Sequence, residues 1–263
     1  MSMKEIAGRF LGMNPMGSGL SSAMAPPAVE VRPLEEMMGR LASLTWEQWC
    51  LYAFSREPLR GRLPREERLA LGREAAACGR EAARRMEAEQ GMLSPRRYAE
   101  KLGLKVERPE KANDGGYVIF AQFAPPDTIH LFYDCIRRAE RLLADHKGLP
   151  VRHKDQVIDI LVAHELFHFI EESQKELYTQ SKKIPLWSLG PVKHSSRVSC
   201  LSEIAGMAFA GELCGLEWSP YLLDVFLVYG YNPEAATHLY EGILGAAGEA
   251  LSSPAENERG SEK

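Results

Sequence analysis

The sequence predicts an α+β fold, mostly helical, with one small three-stranded sheet. Three observations lead to that expectation. Apolar residues recur at three- and four-residue spacing over most of the 263-residue chain. In the middle of the chain this pattern gives way to short segments of β-branched and aromatic residues, "LKVERP", "GYVIFAQFA" and "TIHLFYD". Turn signals separate those segments, first Asn113, Asp114, Gly115 and Gly116, then Pro125, Pro126 and Asp127.

The elements follow in order. Residues 1–30 mix Gly, Ser, Met and Pro with little periodicity, and read as a flexible N-terminal arm with a short helix at 3–11. Residues 31–90 form an N-terminal helical region. Within it, 34–54 has helical spacing, and Thr45 with Gln48 three residues on has the form of a capping box. Residues 64–90 make a long helix whose first turn suits Pro64, and whose alternating Arg and Glu suit a solvated face. A short helix over 94–104 has Ser94 as cap, Pro95 at its first position and Gly103 at its end. Three strands follow, the last two antiparallel. Helices are then expected at 135–148, 154–176 and 196–216, which close a core domain spanning 91–216. Residues 217–251 hold one or two C-terminal helices, broken at Asn232 and Pro233. Residues 252–263 form a polar tail without the apolar content to fold.

Bulk properties exclude several classes. The formal net charge is −4 and the pI about 6.0, so the chain lacks the overall basic balance of a nucleic-acid binder, and no direct nucleic-acid partner is expected. The five cysteines are odd in number and include no C-x-x-C pair, which suits free thiols in a reducing cytoplasm. No apolar run reaches the roughly 18–20 residues of a membrane span. The best stretch, "YLLDVFLVYGY", is short and contains Asp224. Glu5 and Arg9 interrupt any signal-peptide core. A cytoplasmic protein without a membrane partner is the expectation.

Chemistry concentrates in "ILVAHELFHFIEES", residues 160–173. On a helix, His164 and His168 at i and i+4 lie about 40° apart around the axis, so both imidazoles can reach one point beside it. Glu165 lies about 60° beyond His168, too far round to ligate there easily but able to reach a water at that point. This is the logic of H-E-x-x-H, with two zinc ligands and a general base. The rest of the helix is apolar over a broad face, where two unpartnered histidines would be costly to bury. Glu171 and Glu172 lie further along and are expected to face solvent or pair with Lys175. A catalytic zinc needs a third protein ligand. Glu203, in "CLSEIAGMAFAGEL", is the candidate; the small residues Gly206 and Ala210 on its face let two helix axes approach.

At these residues the chain resembles the gluzincin metallopeptidases, and more narrowly the ImmA/IrrE-type family, whose H-E-x-x-H helix is followed by E-x-x-(A/G)-N-x-F-A-x-x-L-L. The second pattern is matched here from Glu203 through Gly206, Phe209 and Ala210 to Leu213. Met207 stands where the family has Asn, and "LCGL" replaces its Leu-Met-Pro ending. The resemblance covers roughly 90–216 by motif order. It implies a zincin-like fold with an HExxH active-site helix, a Zn2+ cofactor held by His164, His168 and Glu203, and cleavage of a protein or peptide substrate inside the cell, often a regulatory DNA-binding protein. In that chemistry zinc activates a water, and Glu165 takes its proton and delivers it to the leaving amine. His194, in the linker between the two site helices, is the first candidate for stabilising the oxyanion, and Tyr178 the second. The strand "GYVIFAQFA" is a candidate edge for peptide addition. Two other readings stay open: a regulatory protein that keeps the zinc without hydrolysis, and a helical structural protein whose histidines belong to the core.

Overall fold

The computed structural model describes residues 30–110, 119–189 and 192–248. The N-terminal arm, the turn at 113–116 and the C-terminal tail lie outside the described residues.

The stretch at 34–54 is two helices, α1 (Leu34–Ala42) and α2 (Trp46–Ser55). The second starts where the capping box predicts. Thr45 Oγ1 accepts from the Gln48 backbone N–H at 3.4 Å, and Gln48 Oε1 accepts from the Thr45 N–H at 2.8 Å. The long helix α3 (Arg65–Gln90) and the short α4 (Pro95–Lys101) follow. Ser94 holds the N-cap position of α4, but its side chain makes no capping bond. Gly103, at φ +75°, ends that turn, and the Leu104 N–H returns to the Ala99 carbonyl at 2.8 Å.

The small sheet has strands β1 (Lys105–Glu107), β2 (Ala121–Ala124) and β3 (Thr128–Leu131), in the order β1-β3-β2. β1 runs parallel to β3, and β2 antiparallel to it, with Gln122 opposite His130 and Phe123 opposite Ile129. Ile129 and Leu131 are buried while Thr128 and His130 are half-buried, the alternation of a one-sided sheet. β2 is the edge.

Beyond the sheet come α5 (Tyr133–Asp145), α6 (Lys154–Ser173), the single turn α7 (Tyr178–Ser181), β4 (Lys183–Leu189), β5 (Val192–Arg197) and α8 (Cys200–Leu213). Two last helices follow, α9 (Leu222–Tyr229) and α10 (Pro233–Ala247). Asn232 caps α10 by accepting from the Ala235 N–H at 2.9 Å. The segment between the site helices is therefore an antiparallel hairpin rather than a linker, and α8 begins at Cys200 rather than near 196. Pro185 and a register shift between Pro185 and Trp187 break the alternation that would have marked these strands.

Helix α6 is buried along nearly its whole length and packs against α4, α5, α8 and the sheet. α8 lies between α3 and α6. One contiguous core runs from Leu34 to Leu244, so α1–α3 are built into the same core as the two site helices. The α3–α8 contact depends on Gly79: a Cβ there would lie 2.0 Å from the Ala205 carbonyl oxygen, a backbone atom that cannot swing aside. Gly79→Ala should therefore destabilise the fold by about 1–3 kcal/mol in denaturant unfolding. Gly39→Ala, with nothing within 4 Å in α1, should be neutral or stabilising by about 0.5–1 kcal/mol. No described helix is long and apolar enough to cross a membrane.

Candidate metal centre

The three expected ligands meet. His164 Nε2 and His168 Nε2 are 2.9 Å apart, and Glu203 Oε2 lies 3.4 Å from the first and 3.9 Å from the second. The cause is helical spacing on α6 combined with the seating of α8. Gly206, one turn beyond Glu203, sits under the His164 ring: a Cβ there would be 2.8 Å from Cε1 and 3.0 Å from Nδ1. The missing side chain is what lets the carboxylate come this close. Three atoms each about 2.0–2.1 Å from a tetrahedral ion are roughly 3.4 Å apart. The observed separations bracket that value. Glu203 Oε2 is buried without a hydrogen bond, directed at two imidazole nitrogens. Two imidazole nitrogens and a carboxylate oxygen converging on one point are what a cation would satisfy, and His164, His168 and Glu203 form a group that could hold a metal ion.

Electrostatics favour the same conclusion. Burial, reinforced by the neighbouring His168, pushes His164 down to about 3, so it is neutral. Burial alone would lower His168 too, but its bond to Glu171 and the surrounding carboxylates raise it to about 9. Burial lifts Glu203 to about 7. At neutral pH His168 thus holds a proton and His164 does not, because a second imidazolium beside the first would be repelled.

Glu171 corrects the expectation that it faces solvent. It is buried, its Oε2 lies 3.5 Å from His168 Nδ1, and it accepts from Ser202 Oγ at 2.6 Å. A carboxylate behind a ligating imidazole fixes the ring's orientation. The signal in the sequence was the i,i+3 step from His168, which turns Glu171 back toward α8. Glu172 does pair with Lys175, at 3.1 Å.

Glu165 is also buried, and its Oε2 accepts from the backbone N–H of Phe123 on the edge strand at 2.6 Å. The bond ties α6 to β2. His194 lies on β5, exposed and opposite Trp187 in the hairpin register. Tyr178 opens α7 and lines a groove against α3 that also includes Glu74 and Cys78. Neither belongs to the convergent group.

Glu57, which the sequence reading missed, secures the start of α8. It is buried, and its Oε2 accepts from Ser199 Oγ at 2.8 Å and from the Cys200 N–H at 3.1 Å. Its other oxygen accepts from the Leu59 N–H at 3.1 Å. No sequence signal links a carboxylate in a turn to a helix so distant in the chain. Glu57→Ala would strand these donors and should cost about 2–3 kcal/mol in equilibrium unfolding. The chain matches no protein-family model, no curated protein and no solved structure.

Proposed function

We propose that the chain is a zinc-dependent metallopeptidase of zincin type, hydrolysing peptide bonds of an intracellular protein, with His164, His168 and Glu203 as zinc ligands. The observation that carries this is the convergence of two imidazoles and a carboxylate, with Glu165 next in sequence held at a strand edge. Two nitrogens and one oxygen suit zinc better than calcium or magnesium, which take oxygen ligands. A zinc ion held there supplies Lewis acidity to the scissile carbonyl and the attacking water.

The side chains do the rest. Glu171 and Ser202 orient His168. Glu165 takes a proton from the attacking water and delivers it to the leaving amine. The substrate lies along β2, whose outer edge offers the Phe123 N–H, as peptides add to open sheet edges. A peptide carbonyl that takes over that N–H leaves the Glu165 carboxylate free for the water. His194, exposed on the hairpin joining α6 to α8, is the proposed donor to the oxyanion, with Tyr178 the alternative. The five free cysteines agree with a cytoplasmic location.

A second reading has its own observation. The bond from Phe123 engages Glu165 in the protein as it stands, which suits a zinc-binding regulatory protein that does not hydrolyse. Incubation with an unfolded protein such as casein separates the two. The zinc-loaded chain should cut it, 1,10-phenanthroline should stop the cutting, and added zinc should restore it. A preparation holding one zinc per chain that leaves casein intact would favour the regulatory reading.

A further inference from the structure

On the other side of α8 lies a cavity of about 570 Å3 that shares no residue with the metal group. Its volume falls in the range of small-molecule sites. Ile204, Met207, Ala208 and Gly211 form one wall, at helical spacing on a different face from Glu203 and Gly206. The other walls are aromatic: Trp46, Trp49, Trp218 and Tyr221. Trp49 is 3 % exposed and stacks on Tyr221, with ring centroids 5.7 Å apart and planes at 16°.

One donor in this lining lacks an acceptor. Arg80 is half-buried and makes no hydrogen bond or ion pair among the described residues. Its neighbour Arg84 already takes Glu212, at 2.7 Å, which removes the one half-buried acid of the lining as a partner. Glu217 is exposed, where solvent and salt screen its charge. What remains is an aromatic-walled space with an uncommitted guanidinium.

We propose that this cavity binds a planar aromatic acid, with the ring against the half-buried indoles of Trp46 and Trp218 and the carboxylate on Arg80. Guanidinium recognises carboxylate through a planar pair of hydrogen bonds, and indole faces suit flat rings. The site stands independently of the peptidase reading.

Calorimetric titration of the full zinc-loaded chain tests it, with 2-naphthoate as probe and neutral 2-naphthamide as its uncharged counterpart. The acid should bind once per chain and at least tenfold more tightly than the amide. Arg80→Gln should weaken the acid at least tenfold and leave the amide and the zinc content unchanged. Trp218→Ala, which removes a half-buried aromatic wall, should weaken both probes. Equal affinity for acid and amide, undiminished acid binding in Arg80→Gln, or no heat from either probe would overturn the proposal.

Discussion

Glu165→Gln is expected to lower peptide hydrolysis by about a thousandfold while the protein keeps its zinc and its melting temperature. The magnitude follows from what a positioned general base contributes, roughly 10²–10⁴ in rate. Retention of metal follows from the geometry, because Glu165 is outside the convergent group. Retention of the fold follows because the amide oxygen of Gln can still accept from the Phe123 N–H that Glu165 now binds at 2.6 Å. Cleavage rate, zinc content and thermal unfolding measured on one preparation check all three. Hydrolysis that survives at the parental rate would remove Glu165 from the mechanism, and cleavage lost together with the metal would mean that its role is structural.

The second large effect is on the metal itself. His164→Ala or Glu203→Gln should reduce zinc affinity by at least about a hundredfold, since losing even an outer partner of a ligand commonly costs ten- to a hundredfold. Glu203→Gln is the more informative change. Burial raises the Glu203 carboxyl to about 7, so in the metal-free protein its charge is held at a cost. The amide removes that cost, and the metal-free variant should be at least as stable as the parent although it binds zinc poorly. In the parent, chelation should lower the melting temperature, because zinc at a hundred times its Kd stabilises by about 2.7 kcal/mol.

The affinity should also depend on pH in a definite direction. His168, raised to about 9, must give up its proton to present Nε2 to the ion, and below about 7 Glu203 is protonated as well. Apparent zinc affinity should therefore rise with pH through neutrality, more steeply below about 7 than above it, and level off near 9. Competition with a chromophoric chelator across pH 6–9.5 measures this. A flat profile would mean that the carboxylates do not hold a proton on His168.

Much of this was legible in the sequence because it is local. The i,i+4 spacing of His164 and His168 is a property of any helix, and the apolar residues around them required a buried one. The capping box at Thr45, the Gly103 stop and the break at Asn232 and Pro233 are local features that short-range pattern reports. The antiparallel pairing of β2 with β3 follows from two extended segments joined by a tight turn. The α+β class followed from these elements together.

Other features were decided by packing between segments far apart in the chain. The hairpin at 183–197 escaped because proline interrupts its alternation, and only the pairing of its two strands defines it. Glu171 read as a surface acid because its partners, Ser202 and the far nitrogen of His168, meet it only when α8 docks on α6. Glu57 and the cavity residue Arg80 were silent for the same reason. By itself the sequence determined which side chains could bind a cation and on which helix they stand, since a helix imposes a fixed angle per residue. Only the tertiary structure decided that Glu203 reaches them: two helix axes come close only where glycine leaves room, at Gly206 under the His164 ring and at Gly79 against Ala205.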